Sequence, residues 1–166
     1  SRLYTLKVLK YNLTVTDDSY GISSTKITNY YGAVDIYEAV ENNQNPRLIF
    51  SIDTNNYLSS DIRKKFASYK SNYSVATPME IELALKTDER TQKLPYSREP
   101  LQIQIQIPLK FRGESDYKIF RYKDGKVEEV TSSRSGYSIT FSTDTFGTYA
   151  LMYRPSSTSS NTDSDS

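Results

Sequence analysis

The run LQIQIQIP at 101–108 leaves this chain few choices. Leu101, Ile103, Ile105 and Ile107 take every second position, with Gln102, Gln104 and Gln106 between them. A period of two is that of a β-strand, whose successive side chains point to opposite faces. Four aliphatic side chains on one face need cover, while three amides on the other suit water. A strand of this kind belongs to an antiparallel sheet with one wet face. The fold must therefore supply a second apolar layer opposite it.

The region 116–153 repeats the pattern: DYKIFRYKDGKVEEVTSSRSGYSITFSTDTFGTYALMY. Asp124-Gly125 between YK and KV is the signal of a two-residue hairpin turn that needs positive φ at both positions. Tyr137, Ile139 and Phe141 alternate, as do Tyr149, Leu151 and Tyr153. Upstream, 79–86 alternates Ile81, Leu83 and Leu85 against Glu80, Glu82 and Lys86, and 47–53 places Leu48, Phe50 and Ile52 on one face. The segments 33–40 and 3–16 also read as strands. In the latter, a phase change near Val8 and Leu9 marks a bulge or a strand that switches sheets. Turn residues fill 17–21 and 41–46.

One segment departs from the period of two. Over 59–73, Ile62, Phe66, Tyr69 and Tyr73 recur at helical spacing among Lys and Arg. Ser59 or Ser60 suits the cap and Asp61 the first turn. The expected fold is thus mainly β, an antiparallel β-sandwich of about nine strands with one short amphipathic helix near 59–73. Its helix is expected to pack on a sheet edge or to close the end of the sandwich. One module over 1–154 is the primary reading, with two small lobes divided near 75–80 as the alternative. The tail 155–166, PSSTSSNTDSDS, has too little apolar surface to offset ordering and reads as a linker.

Composition narrows the chemistry. The 166 residues contain no His, no Cys and no Trp, but 15 Tyr and 6 Phe. Large aromatics can build a core even at a mean hydropathy of -0.64. Without Cys there is no disulfide, so an extracellular module of this size rests on its core, as bacterial surface modules do. The formal net charge of +1 argues against nucleic acid or an anionic membrane as the default partner. No apolar run is long enough for a membrane-spanning helix.

Around the same residues a familiar pattern emerges. An extended segment leads to an Ile-rich strand ending at Pro108, then a tyrosine-rich strand, Asp124-Gly125 and Lys126-Val127-Glu128-Glu129. The closing motif is Thr140-Phe141-Ser142-Thr143-Asp144-Thr145-Phe146-Gly147-Thr148-Tyr149-Ala150. Residues 81–153 resemble the Ig-like or ZU5-like β-sandwich modules of Gram-positive cell-surface proteins, which often precede a Ser/Thr-rich spacer and a wall anchor. Gly147 departs from the pattern, where Ser is commoner. The resemblance implies an extracellular, cell-surface setting, attached to the wall through regions outside this sequence. Within the closing motif, Phe146 and Tyr149 are expected to anchor the last strand in the core.

Candidate sites are few. The commonest general base and the thiol nucleophile are absent. The adjacent acids Glu128-Glu129, Asp88-Glu89 and Asp17-Asp18 would face opposite sides of a strand and make no glycosidase pair. No catalytic residue, metal or cofactor is expected. Calcium at Asp17-Asp18 or at 53–56, and an isopeptide bond from Lys7 or Lys10 toward Asp144, are minority readings. Tyr30, Tyr31 and Tyr37 are the candidate ligand-binding residues, as rings on which a sugar can stack. The expected function is a non-catalytic structural or adhesive module that projects neighbouring domains and binds a glycan or host protein. The alternative is a carbohydrate-binding module of a polysaccharide-degrading enzyme or scaffold.

Overall fold

The computed structural model describes residues 14–17, 26–28, 34–54, 58–69 and 72–155. Strands β1 (Thr14–Asp17) and β2 (Lys26–Thr28) come first, then helix α1 (Tyr37–Glu41), β3 (Arg47–Asp53) and helix α2 (Ser60–Tyr69). Next are β4 (Ser74–Lys86), β5 (Thr91–Leu94), β6 (Tyr96–Gln106) and a short 3-10 turn at Leu109–Phe111. The chain closes with β7 (Ser115–Lys123), β8 (Lys126–Val130), β9 (Ser132–Ser135), β10 (Ser138–Thr145) and β11 (Gly147–Arg154). The larger sheet has the order β1-β3-β4-β11-β7-β8, with β5 continuing alongside β4, and the smaller has the order β2-β6-β10-β9. All pairings are antiparallel except β1 with β3, which is parallel.

The alternating sequence decides how the sheets face each other. Leu101, Ile103, Ile105 and Ile107 from β6 and its end, with Ile139 and Phe141 from β10, meet Leu48, Phe50, Ile52, Ile81 and Leu83 of the larger sheet in one buried cluster. That shared core makes the molecule an antiparallel β-sandwich. Residues 75–80 lie inside β4, in mid-strand and paired with β11.

A second apolar cluster lies on the far side of the larger sheet. Phe66 of α2 is buried against Phe120, Ala150 and Met152, with Ile62 half-buried beside it. The helix begins as expected: the Ser59 hydroxyl accepts the Ile62 backbone N–H at 3.3 Å. It lies on the outer face of the larger sheet, reaching from the edge strand β8 across β7 toward β4, and a face there is apolar because β7 and β11 are apolar on both sides. Along β11, Tyr149 and Leu151 enter the main core while Ala150 and Met152 enter the helix side.

Three expectations need correction. The strand expected over 33–40 is not found in its described part, 34–40. Val34 and Ile36 are buried, but the Asp35 carboxylate accepts the Tyr37 backbone N–H at 3.0 Å and the chain turns into α1. Such a local bond competes with a sheet ladder. Phe146 is only half-buried and packs on the rim of the core, whereas Tyr149 is fully buried. Tyr137 belongs to the β9–β10 turn and is 48% exposed, so the alternation starts at Ile139.

The turns obey backbone sterics. Asp124 and Gly125 have φ of 53° and 79°, the two positive values that a two-residue hairpin with the twist of its strands requires. Gly147 has φ of 142°, in a region open to glycine alone. It stands where the chain leaves β10 in one sheet and enters β11 in the other. No atom lies within 4 Å of where a Cβ would be, so only the backbone resists a side chain there. Gly147→Ala should therefore cost about 1–3 kcal/mol. Gly113→Ala, at an open site without positive φ, should cost nothing measurable. Urea unfolding of both variants checks this, and equal midpoints would remove strain as the reason for glycine at 147.

Candidate functional site

The isoleucines of β6 turn its glutamines outward, and register places them against hydroxyls. Gln102 stands opposite Ser142, Gln104 opposite Thr140 and Gln106 opposite Ser138. Gln106 Nε2 donates to Ser138 Oγ at 2.7 Å and Gln104 Nε2 to Thr140 Oγ1 at 3.3 Å. On the β2 side, Thr28 Oγ1 donates to Gln102 Oε1 at 3.0 Å. On the β9 side, Ser133 stands opposite Thr140 and Ser135 opposite Ser138. A shallow groove of about 430 Å³ runs between Gln102, Ser142 and the corner at Thr131, Ser132 and Ser133.

Over 101–106 of β6 and 138–143 of β10, before the register shift that pairs Thr145 with Tyr96, every outward side chain is Gln, Ser or Thr. This stretch of β6 and β10 carries donors and acceptors and no formal charge, while on the neighbouring β2 Lys26 stands opposite Gln104. Each amide and hydroxyl keeps bonding capacity beyond its cross-strand partner. Such a surface can exchange hydrogen bonds with an uncharged, hydroxyl-rich ligand.

The sequence-predicted tyrosines stand elsewhere. Tyr30 and Tyr31 lie outside the described residues. Tyr37 opens α1 with 42% of its surface exposed. Helix α1 borders a different groove, of about 330 Å³, shared with the β4–β5 hairpin and lined among others by Asp35, Glu38, Glu89 and Arg90. The structure thus does not bring Tyr37 to the amide and hydroxyl face. That face is legible in the sequence only as three glutamines where a solvated strand more often mixes charges.

Three of the carboxylates flagged by the sequence are engaged in ion pairs. Glu128 meets Arg121 at 3.2 Å, Glu129 meets Lys118 at 3.5 Å and Asp88 meets Arg47 at 3.6 Å. Asp144 is exposed and accepts from Thr145 Oγ1. Lys7, Lys10, Asp18 and residues 55–57 lie outside the described residues. Among the described residues no three acidic, His or Cys side chains gather as a metal site would need.

One charged cluster is more elaborate. Asp116, at φ of 55°, accepts the Tyr73 hydroxyl and lies 3.5 Å from Arg154 and 3.8 Å from Lys118. Burial, together with the hydrogen bond to the Asp116 carboxylate and its charge, pushes the Tyr73 phenol up to about 12. The phenol is a donor that resists ionisation, so the cluster works as a clasp between the loop after α2, the start of β7 and the end of β11. An elevated folded value means that the stabilisation is complete below the ordinary phenol value of 10.0 and is lost as pH rises through about 12. Wild type should therefore lose more stability than Tyr73→Phe between those limits. Parallel denaturation curves across the window would contradict the clasp.

Comparison of the chain with known protein families, with characterised proteins and with solved structures found no match, so the functional reading rests on the residues themselves.

Proposed function

We propose that this chain is a non-catalytic structural and adhesive module of a bacterial cell-surface protein, extracellular, projecting or spacing its neighbouring domains. The observation that carries this reading is the placement of β11. It is hydrogen-bonded to β4 on one edge and β7 on the other, and its two faces fill two cores. The Ser/Thr-rich run follows directly after this strand. A pull arriving at Arg154 meets a strand bonded along both edges, one of them to β4, the strand that also carries β3 and β5, which suits a spacer under load. The absence of Cys adds support, since the fold holds by packing and needs no oxidant. The resemblance of 81–153 to Ig-like or ZU5-like modules of Gram-positive surface proteins points the same way.

Pulling a single molecule between its two ends should give one cooperative rupture. Met152→Ala should lower the rupture force, because Met152 is fully buried between β11 and the α2 side. The exposed Lys64→Ala should leave it unchanged. Peeling in small steps at low force would sink the spacer reading.

A second reading, a carbohydrate-binding module, is favoured by the amides and hydroxyls that line β6 and β10 on the wet face of the smaller sheet. Affinity electrophoresis against neutral polysaccharides such as xylan and dextran tests it. Retardation should occur with at least one of them and should be lost in Gln104→Ala/Thr140→Ala, with the melting temperature kept within a few degrees. Equal mobility with and without every such polymer would dismiss this reading and leave the spacer reading standing.

A further inference from the structure

At the end of the sandwich where β6 passes to β7, two arginines are held in the same unusual way. Arg112 Nε donates to the Ile107 carbonyl at 2.8 Å while its guanidinium carbon lies 4.7 Å from the centre of the Tyr137 ring. Arg134 Nε donates to the Gly136 carbonyl at 2.6 Å while its guanidinium carbon lies 4.8 Å from the centre of the Tyr117 ring. The supports are themselves fixed. Tyr117 donates to the Phe111 carbonyl at 2.6 Å and accepts the Glu114 backbone N–H at 3.1 Å. The Ile107 backbone N–H donates to the Tyr137 carbonyl at 2.8 Å. All of these residues belong to one knot of two turns, 107–117 and 134–137.

Stacking and an anchored Nε leave the terminal nitrogens of each guanidinium as the unused donors. No carboxylate among the described residues lies within ion-pair distance of Arg112, Arg134 or Lys110. Elsewhere on the surface Arg47, Lys93, Lys118, Arg121 and Arg154 all meet acids. The same end exposes two apolar groups: Leu109, 78% exposed, and Tyr137, 48% exposed. The turns 107–117 and 134–137 carry Lys110, Arg112 and Arg134 against Glu114 and Asp116, and Asp116 is engaged by Tyr73, Lys118 and Arg154.

We propose that this end of the sandwich binds an anionic polysaccharide, with Arg112 and Arg134 taking its carboxylate or sulfate oxygens and Tyr137 taking a sugar face. Guanidinium forks match such oxyanions in two-point geometry. Their ordering cost has already been met by the rings and carbonyls that hold them, so little freedom is lost on binding. Fixed donors suit a ligand whose acid groups sit at regular spacing on a stiff sugar chain. A fluid lipid surface rewards only charge density. Nucleic acid calls for a longer run of cations than three. The site is separate from the amide and hydroxyl face and stands or falls independently of the functions proposed above.

The test uses the whole chain in affinity electrophoresis against heparin and hyaluronan, with dextran, poly-glutamate and a single-stranded oligonucleotide as comparison matrices. Wild type should be retarded by heparin or hyaluronan in a salt-sensitive way, and more weakly or not at all by the other three. Arg112→Gln and Arg134→Gln should each weaken binding by about tenfold. Lys64→Gln/Lys126→Gln removes two exposed charges far from the knot and should leave binding nearly unchanged. Arg134 is exposed on an edge strand, so its substitution tests the site even where Arg112→Gln disturbs the turn. The proposal is overturned by no retardation on either acidic glycan, by an equal loss in the lysine control, or by tighter binding to the oligonucleotide or poly-glutamate.

Discussion

The fold depends on the double burial of β11. Tyr149 and Leu151 supply the sandwich core on one side, and Ala150 and Met152 supply the helix-covered cluster on the other. Both edges of the strand are hydrogen-bonded, to β4 and to β7. A strand in that position cannot be loosened without opening two apolar clusters and two ladders together. This couples the layers into one cooperative unit without any covalent tie from cysteine. It also explains the place of α2: strands that are apolar on both faces need a third layer, and a ten-residue amphipathic helix provides it.

Polar contacts then fix how the two sheets meet. The chain crosses between sheets at Pro95 and again at Phe146, and the Phe146 backbone N–H donates to the Pro95 carbonyl at 3.0 Å. Beside that corner the buried Thr143 hydroxyl lies 2.7 Å from the Tyr149 hydroxyl, and Arg121 reaches the same threonine at 3.3 Å. Tyr149 also donates to the Thr145 carbonyl. Burial raises the Tyr149 phenol, which keeps it a neutral donor inside the core. Thr143 and Tyr149 belong to different sheets, so this network sets the register between layers, a task that interchangeable aliphatic contacts do poorly.

The surface divides into regions of different chemistry. Along β6 and β10 the wet face of the smaller sheet has hydroxyls and amides, with Lys26 of β2 opposite Gln104. The end near Arg112 and Arg134 has cations stacked on tyrosines. The clasp of Tyr73, Asp116, Lys118 and Arg154 spends its charges internally. A net charge near neutrality is therefore an average over unlike patches. Partner chemistry follows from the patches and not from the sum.

What the sequence determined by itself is what periodicity encodes. Alternation at 101–107 and 47–53 gave the buried faces residue by residue, the Asp124-Gly125 pair gave its hairpin, and Ser59 with Ile62 and Phe66 gave the start of the helix and its packed side, although Tyr69 is exposed and Tyr73 lies beyond the helix end. Those features depend on neighbours within a few positions, where local sterics and side-chain direction rule. Tertiary structure alone decided which sheet each strand joined, that α2 covers a face, that 34–40 turns into a helix, and that Phe146 stays at the rim. It also decided which charges found partners, leaving Arg112 and Arg134 stacked on rings with no acid within ion-pair distance among the described residues. Those outcomes depend on contacts between residues far apart in the chain, for which a single sequence carries no period to read.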